Sequence, residues 1–93
     1  MRKARQKIAP EYEEEVRRNI SRRLKSALFD AGMGCAELSR RTTVPAASIY
    51  NAVARRTTLT AAYLSRIADE LGCSTDWLLG RTEEKGEKTI WKR

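Results

Sequence analysis

Apolar residues recur every four positions from Tyr12 through Val16, Ile20 and Leu24 to Leu28, with Ala27 beside them. That spacing keeps one stripe on one face and predicts a long amphipathic helix from Pro10 to Ala31-Gly32. Pro10 suits a first helical turn, and Glu11, Glu13, Glu14 and Glu15 complement the positive end of the helix dipole. Glu13 precedes Arg17, and Glu14 precedes Arg18, in the favoured order for pairing along a helix. Most of this helix's charge therefore reads as a solvated face. A phosphate contact from Arg22 or Arg23 is the less favoured reading.

Gly32-Met33-Gly34 breaks the pattern, and Met33 is expected to cap the core between the first two helices. The stretch from Cys35 to Ala54 then reads as a short helix over Cys35–Thr42, a tight break at Thr42 to Pro45, and a third helix starting around Pro45. Leu38, Ser39, Val44, Ile49, Ala52 and Val53 fall on the inward side. Arg40, Arg41, Ala46, Ala47, Ser48, Tyr50 and Asn51 fall on the outward side. Thr60 is a natural N-cap for a fourth helix with the stripe Leu64, Ile67, Ala68 and Leu71, closed by Gly72. Ser74 caps a last short helix through Leu79, stopped by Gly80, with Cys73, Trp77 and Leu78 in the core. Beyond Gly80 the pattern dissolves into RTEEKGEKTIWKR, whose one apolar patch is Ile90-Trp91. That tail is either frayed or a contact to a partner subunit, for which a Trp beside an Ile is a suitable anchor. The predicted architecture is an all-α, compact five-helix bundle over residues 10–80, preceded by an arm (1–9) and followed by a charged tail (81–93).

Composition narrows what such a bundle does. The chain has 93 residues, enough for one domain, with nineteen Lys and Arg against twelve Asp and Glu, a net charge of +7. An excess of this size favours a polyanion through counterion release, and nucleic acid over membrane. No apolar run approaches the ~18 residues of a membrane span, and the basic start is not followed by the apolar run of a secretory signal. Only Cys35 and Cys73 are present, far apart, and there is no His. Zinc and other metals are not expected, nor any cofactor or evident small-molecule ligand, and the cysteine usage suits a reduced cytoplasm. Cys35 sits at a helix start, where a depressed thiol pKa is one reading and an unreactive small residue the other. With no His, no Gly-rich phosphate loop and no carboxylate pair outside helix starts, an enzyme is the weakest option.

Two short helices at a steep angle can press the second into the major groove of DNA. The third helix exposes alanines where plain solvent would favour Lys and Glu. Small residues allow close approach and methyl contact with thymine, while good helix propensity is the bland alternative. Asn51 can pair in bidentate fashion with adenine, and Ser48 and Tyr50 can reach a base edge or a phosphate. Arg55-Arg56-Thr57-Thr58 follows as a cationic loop suited to phosphate, with Arg40 and Arg41 on the other side. Arg2, Lys3, Arg5 and Lys7 make the arm basic, so it is either a disordered terminus or an arm that orders on DNA.

Leu38-Ser39, Val44-Pro45 and Ser48-Ile49, with ISRRLKSAL before them and LSRIADELGCSTDWLLG after, make residues 20–80 resemble the lambda-repressor-like (Cro/C1-type, XRE) helix-turn-helix family. The resemblance implies a five-helix fold that binds operator DNA as a dimer. It places Ala46, Ala47, Ser48, Tyr50 and Asn51 at the base-reading positions. Arg55 and Arg56 fall in the loop that contacts phosphate, and the basic arm is similar to arms that embrace the operator. Three departures stand out. Cys35 replaces the usual Gln at the start of the second helix, Thr42 and Thr43 replace an apolar residue and Gly at its end, and Ala46 and Ala47 replace long polar readers. Thr43 is a poor residue for a left-handed position. The function so implied is a sequence-specific regulator, of phage or mobile-element repressor type, acting in the bacterial cytoplasm or nucleoid. The alternative is an antitoxin-like or assembly module whose main partner is protein, bound through Ile90-Trp91 or Tyr63.

Overall fold

The stripe on the first helix organises the molecule. In the computed structural model, which describes residues 9–86, α1 spans Pro10–Ala31 and is followed by α2 (Cys35–Thr42), α3 (Ala46–Val53), α4 (Ala61–Leu71) and α5 (Thr75–Leu78). The described residues contain no strand, so the all-α expectation holds. α1 packs on α3, α4 and α5, while α2 packs on α3 and α4. Ile20 and Leu24 from α1, Leu38 from α2, Ile49 from α3, Ile67 from α4 and Leu78 from α5 meet in one core with almost no exposure. Each such side chain contributes roughly 1.5–3 kcal/mol by leaving water. Met33 packs at the edge of that core as expected, whereas Tyr12, the first member of the stripe, is exposed.

Capping chemistry sets the helix starts. Pro45 precedes α3 as its N-cap, so the helix begins one residue later than the proline. Thr60 and Ser74 accept hydrogen bonds from the Tyr63 and Trp77 N–H groups, as their sequence positions predict. Gly32 and Gly72 close α1 and α4 with positive φ. Gly80 does the same after α5, at φ +83, and a Cβ there would also lie 2.6 Å from Cγ of Asn19. Asn19 crosses from α1 at that point to donate to the Leu79 carbonyl at 3.3 Å.

α2 and α3 end differently, on residues that carry a Cβ. Thr43 has φ +62 and Arg55 has φ +65. The left-handed turn that Thr43 was ill suited to make is therefore made, and its neighbours supply the compensation. The Thr43 N–H donates to the Ser39 carbonyl at 2.8 Å, closing the helix. Buried Thr42 donates its hydroxyl to the Leu38 carbonyl at 2.7 Å and accepts from the Val44 N–H at 3.2 Å. Ser39 donates to the Val44 carbonyl at 2.7 Å, and the Thr43 hydroxyl donates to the Thr42 carbonyl. Together these bonds tie the end of α2 to the turn that leads into α3.

The folded body continues past the predicted boundary at Gly80. Residues 81–86 lie back across α1 and α5, so this part of the expected tail packs as a strap. Arg23, which the stripe places beside the core, is only 5% exposed. Its guanidinium lies 4.7 Å from the Trp77 ring centroid, donates to the Thr82 carbonyl at 3.4 Å and pairs with Glu83 at 3.2 Å. Lys85 covers the Trp77 ring at 5.2 Å and pairs with Asp30 at 3.2 Å. The Ser74 N–H donates to the Lys85 carbonyl at 2.7 Å. Arg23 is thus a structural residue, which removes it from the candidate phosphate contacts. Ile90-Trp91 lies outside the described residues.

Candidate nucleic-acid interface

α3 is held from beneath by its apolar residues and by one polar tie. Ile49 and Ala52 are fully buried against α1 and α2, and the Ser21 hydroxyl donates to the Val53 carbonyl at 2.6 Å. Ser21 is buried on α1 and carries no period-based signal, so its part in seating α3 emerges only from the packing. With that side fixed, Ala47, Tyr50 and Ala54 line the opposite face, all exposed, while Ala46, Ser48 and Asn51 are half-buried along its flanks. Tyr50 shows 52% of its surface. The helix carries no acidic residue.

The loop after α3 owes its shape to the left-handed Arg55. The Arg55 N–H donates to the Ala52 carbonyl at 3.1 Å and the Arg56 N–H to the Asn51 carbonyl at 2.9 Å. This pair of bonds is the glycine-type helix ending, built here on an arginine. It turns the chain so that the two guanidiniums find partners on opposite sides. Arg55 pairs with Glu14 of α1 at 2.7 Å. Arg56 donates to Oδ1 of Asn51 at 3.0 Å.

The five expected phosphate contacts thus occupy distinct situations. Arg40 is exposed and forms no ion pair among the described residues. Arg41 bridges Glu37 at 3.0 Å and Glu70 at 3.1 Å, tying α2 to α4, and these carboxylates hold its guanidinium more firmly protonated. It remains half-exposed while it makes both pairs. Arg55 is half-exposed and shared with Glu14. The Arg55 guanidinium, and then that of Arg17, hold the Glu14 carboxyl below its usual range. Arg56 is exposed. Thr57 lies with Thr58, Tyr12, Glu13, Val16 and Arg17 around an open groove of about 430 Å³ between the start of α1 and this loop. The arm residues Arg2, Lys3, Arg5 and Lys7 lie outside the described residues.

Burial pushes the Cys35 thiol up rather than down, which favours the unreactive small residue over an activated thiol at the helix start. Cys73 is buried, as predicted, and burial pushes its thiol up to about 11. Tyr63, a candidate partner anchor, packs partly buried against the core, whereas among the described residues the most exposed large apolar side chain is Phe29, at 85%. Among the described residues no group of three His, Cys, Asp or Glu is placed to hold a metal, and no helix is long and apolar enough to cross a membrane. No protein-family model matches this chain, and no curated protein or solved structure matches it either.

Proposed function

We propose that this chain is a sequence-specific, double-stranded-DNA-binding regulator of transcription. It acts as a homodimer that covers an operator and excludes polymerase, in the manner of phage or mobile-element repressors, in the bacterial cytoplasm or nucleoid. One observation carries the reading. α3 offers an exposed face of Ala47, Tyr50 and Ala54, flanked by Ser48 and Asn51 and free of acids, with Arg55 and Arg56 in the loop that follows and Arg40 exposed on α2. An acid on that face would repel phosphate, and long side chains would hold the backbone away from the base edges.

Ser48, Tyr50 and Asn51 are the polar readers, and Ala46 and Ala47 allow close approach. Grip comes from Arg40, Arg55, Arg56 and the basic arm. Two-fold symmetry sets half-sites roughly 10 bp apart, or a multiple of that. With ~3 to 5 phosphate contacts per half, affinity falls about 10³- to 10⁵-fold between roughly 50 and 200 mM salt.

Selection of bound duplexes from a random library, followed by sequencing and a salt titration, tests this. A two-fold-related motif with steep salt dependence is expected. No enriched motif and a flat salt response would overturn it in favour of an interaction module. The exposed Phe29 is the observation that favours that second reading, because a bare aromatic side chain is a suitable contact anchor.

A further inference from the structure

The hydrogen bond between Arg56 and Asn51 changes what the reading face can recognise. Oδ1 is the one acceptor atom of the Asn51 side chain, and the Arg56 guanidinium occupies one of its two lone pairs at 3.0 Å. The same two residues are joined again through the backbone, where the Arg56 N–H meets the Asn51 carbonyl at 2.9 Å. That second bond follows from the left-handed Arg55, so the helix ending itself sets the pair's geometry. Asn51 is half-buried and Arg56 exposed, which leaves the guanidinium able to meet DNA while it holds the amide.

We propose that Asn51 and Arg56 act as one donor-rich unit that reads guanine, with Arg56 positioning the Asn51 amide and adding its own free N–H groups. The inference rests on the DNA-binding reading above and gives that face its base. Bidentate recognition of adenine needs an amide oxygen to accept from N6–H and an amide nitrogen to donate to N7. With Oδ1 already receiving a charged donor, its capacity to accept from adenine is reduced. What remains at this corner is the Asn51 NH₂ and the unused N–H groups of Arg56. Two neighbouring acceptors, O6 and N7 on the major-groove edge of guanine, match that set.

The test compares the full chain with Arg56→Ala, Arg56→Gln, Asn51→Ala and the Arg56→Ala/Asn51→Ala double variant. Each is read by library selection and by affinity for single-base-pair variants of the selected site. Wild type should select guanine at one base pair per half-site and discriminate against the other bases there by roughly ten- to a hundredfold. Arg56→Ala and Asn51→Ala should each erase preference at that base pair, and the double variant should lose no more preference than either single one. Arg56→Gln, whose amide can still donate to Oδ1, should retain the preference while its salt slope falls by about one contact. That last result separates positioning from charge.

Selection of adenine at that base pair by wild type would overturn the inference and leave the DNA-binding reading standing. So would an Arg56→Ala variant that weakens all duplexes equally with preference intact, since Arg56 would then be a phosphate contact alone. Failure of wild type to enrich any motif would overturn both.

Discussion

Two kinds of helix ending coexist in this small bundle. α1, α4 and α5 stop on glycines at positive φ, whereas α2 and α3 stop on Thr43 and Arg55 in the same left-handed region. The glycine endings turn the chain, and Gly80 also leaves room for Asn19 to cross from α1. The other two flank α3, and each uses its side chain. Thr43 sits in a cluster of hydroxyl bonds that closes α2 and fixes the turn into α3. Arg55 reaches Glu14 and brings Arg56 over Asn51. A left-handed residue with a Cβ costs roughly 1–2 kcal/mol. The comparison teaches that the fold accepts that cost only where the side chain does something that glycine cannot.

The comparison breaks most visibly at a glycine. Gly80→Ala meets both a positive φ and Asn19, so it should destabilise the chain by about 2–3 kcal/mol in a urea melt and lose the Asn19–Leu79 bond. A loss under about 1 kcal/mol would show that the α1–α5 junction yields easily. At the other kind of ending the sign reverses. Thr43→Gly should stabilise by about 0.5–1 kcal/mol once the left-handed strain is relieved, net of the greater backbone entropy of glycine. Arg55→Gly should gain less, because it gives up the pair with Glu14, and it should weaken binding to all duplexes about equally. If both variants are destabilised, the side chains at these endings contribute more to the fold than to the surface.

The smallest effect tests Arg55 from the other side. Glu14→Gln frees the Arg55 guanidinium, so affinity for any duplex should rise several-fold, while base preference should not move. The same variant has a pH signature. The Glu14 carboxyl is held below its usual range by Arg55 and then Arg17, so its folded pKa lies below the unfolded one. Its contribution to stability is fully present above the unfolded carboxylate value and is lost as pH falls through the lowered folded value. Glu14→Gln should therefore flatten the acid limb of the stability curve. An unchanged limb would mean the ion pair is not populated in solution.

Much of the scaffold was legible in the chain because its signals are local. The four-residue stripe marks α1, Thr60 and Ser74 mark helix starts, and the Gly and Pro residues mark breaks within a residue or so of where they fall. What escaped depends on residues far apart. Arg23 reads as surface charge until Trp77 and the strap at residues 82–85 cover it. The strap has no apolar period, because ion pairs and backbone bonds hold it. On the candidate interface, spacing alone separated the exposed face of α3 from its buried one. It could not reveal that Arg41 is shared with Glu70, that Arg55 is shared with Glu14, or that Asn51 already has a donor. Charge type is written in the sequence, while pairing is a property of the packed whole.

The strap also bears on the order in which the molecule is made. Arg23 belongs to the first quarter of the chain and meets Glu83 sixty residues later, while Trp77 takes Lys85 over its ring only at the end. Once all five helices are present, Arg23 can already stack on Trp77, and residues 82–85 then add the Thr82, Glu83 and Lys85 contacts. Contacts of such long sequence separation form late, after loop entropy has been overcome. The strap thus adds polar closure to a junction whose apolar contacts, such as those joining Ile20 and Leu78 in the core, span nearly as much sequence.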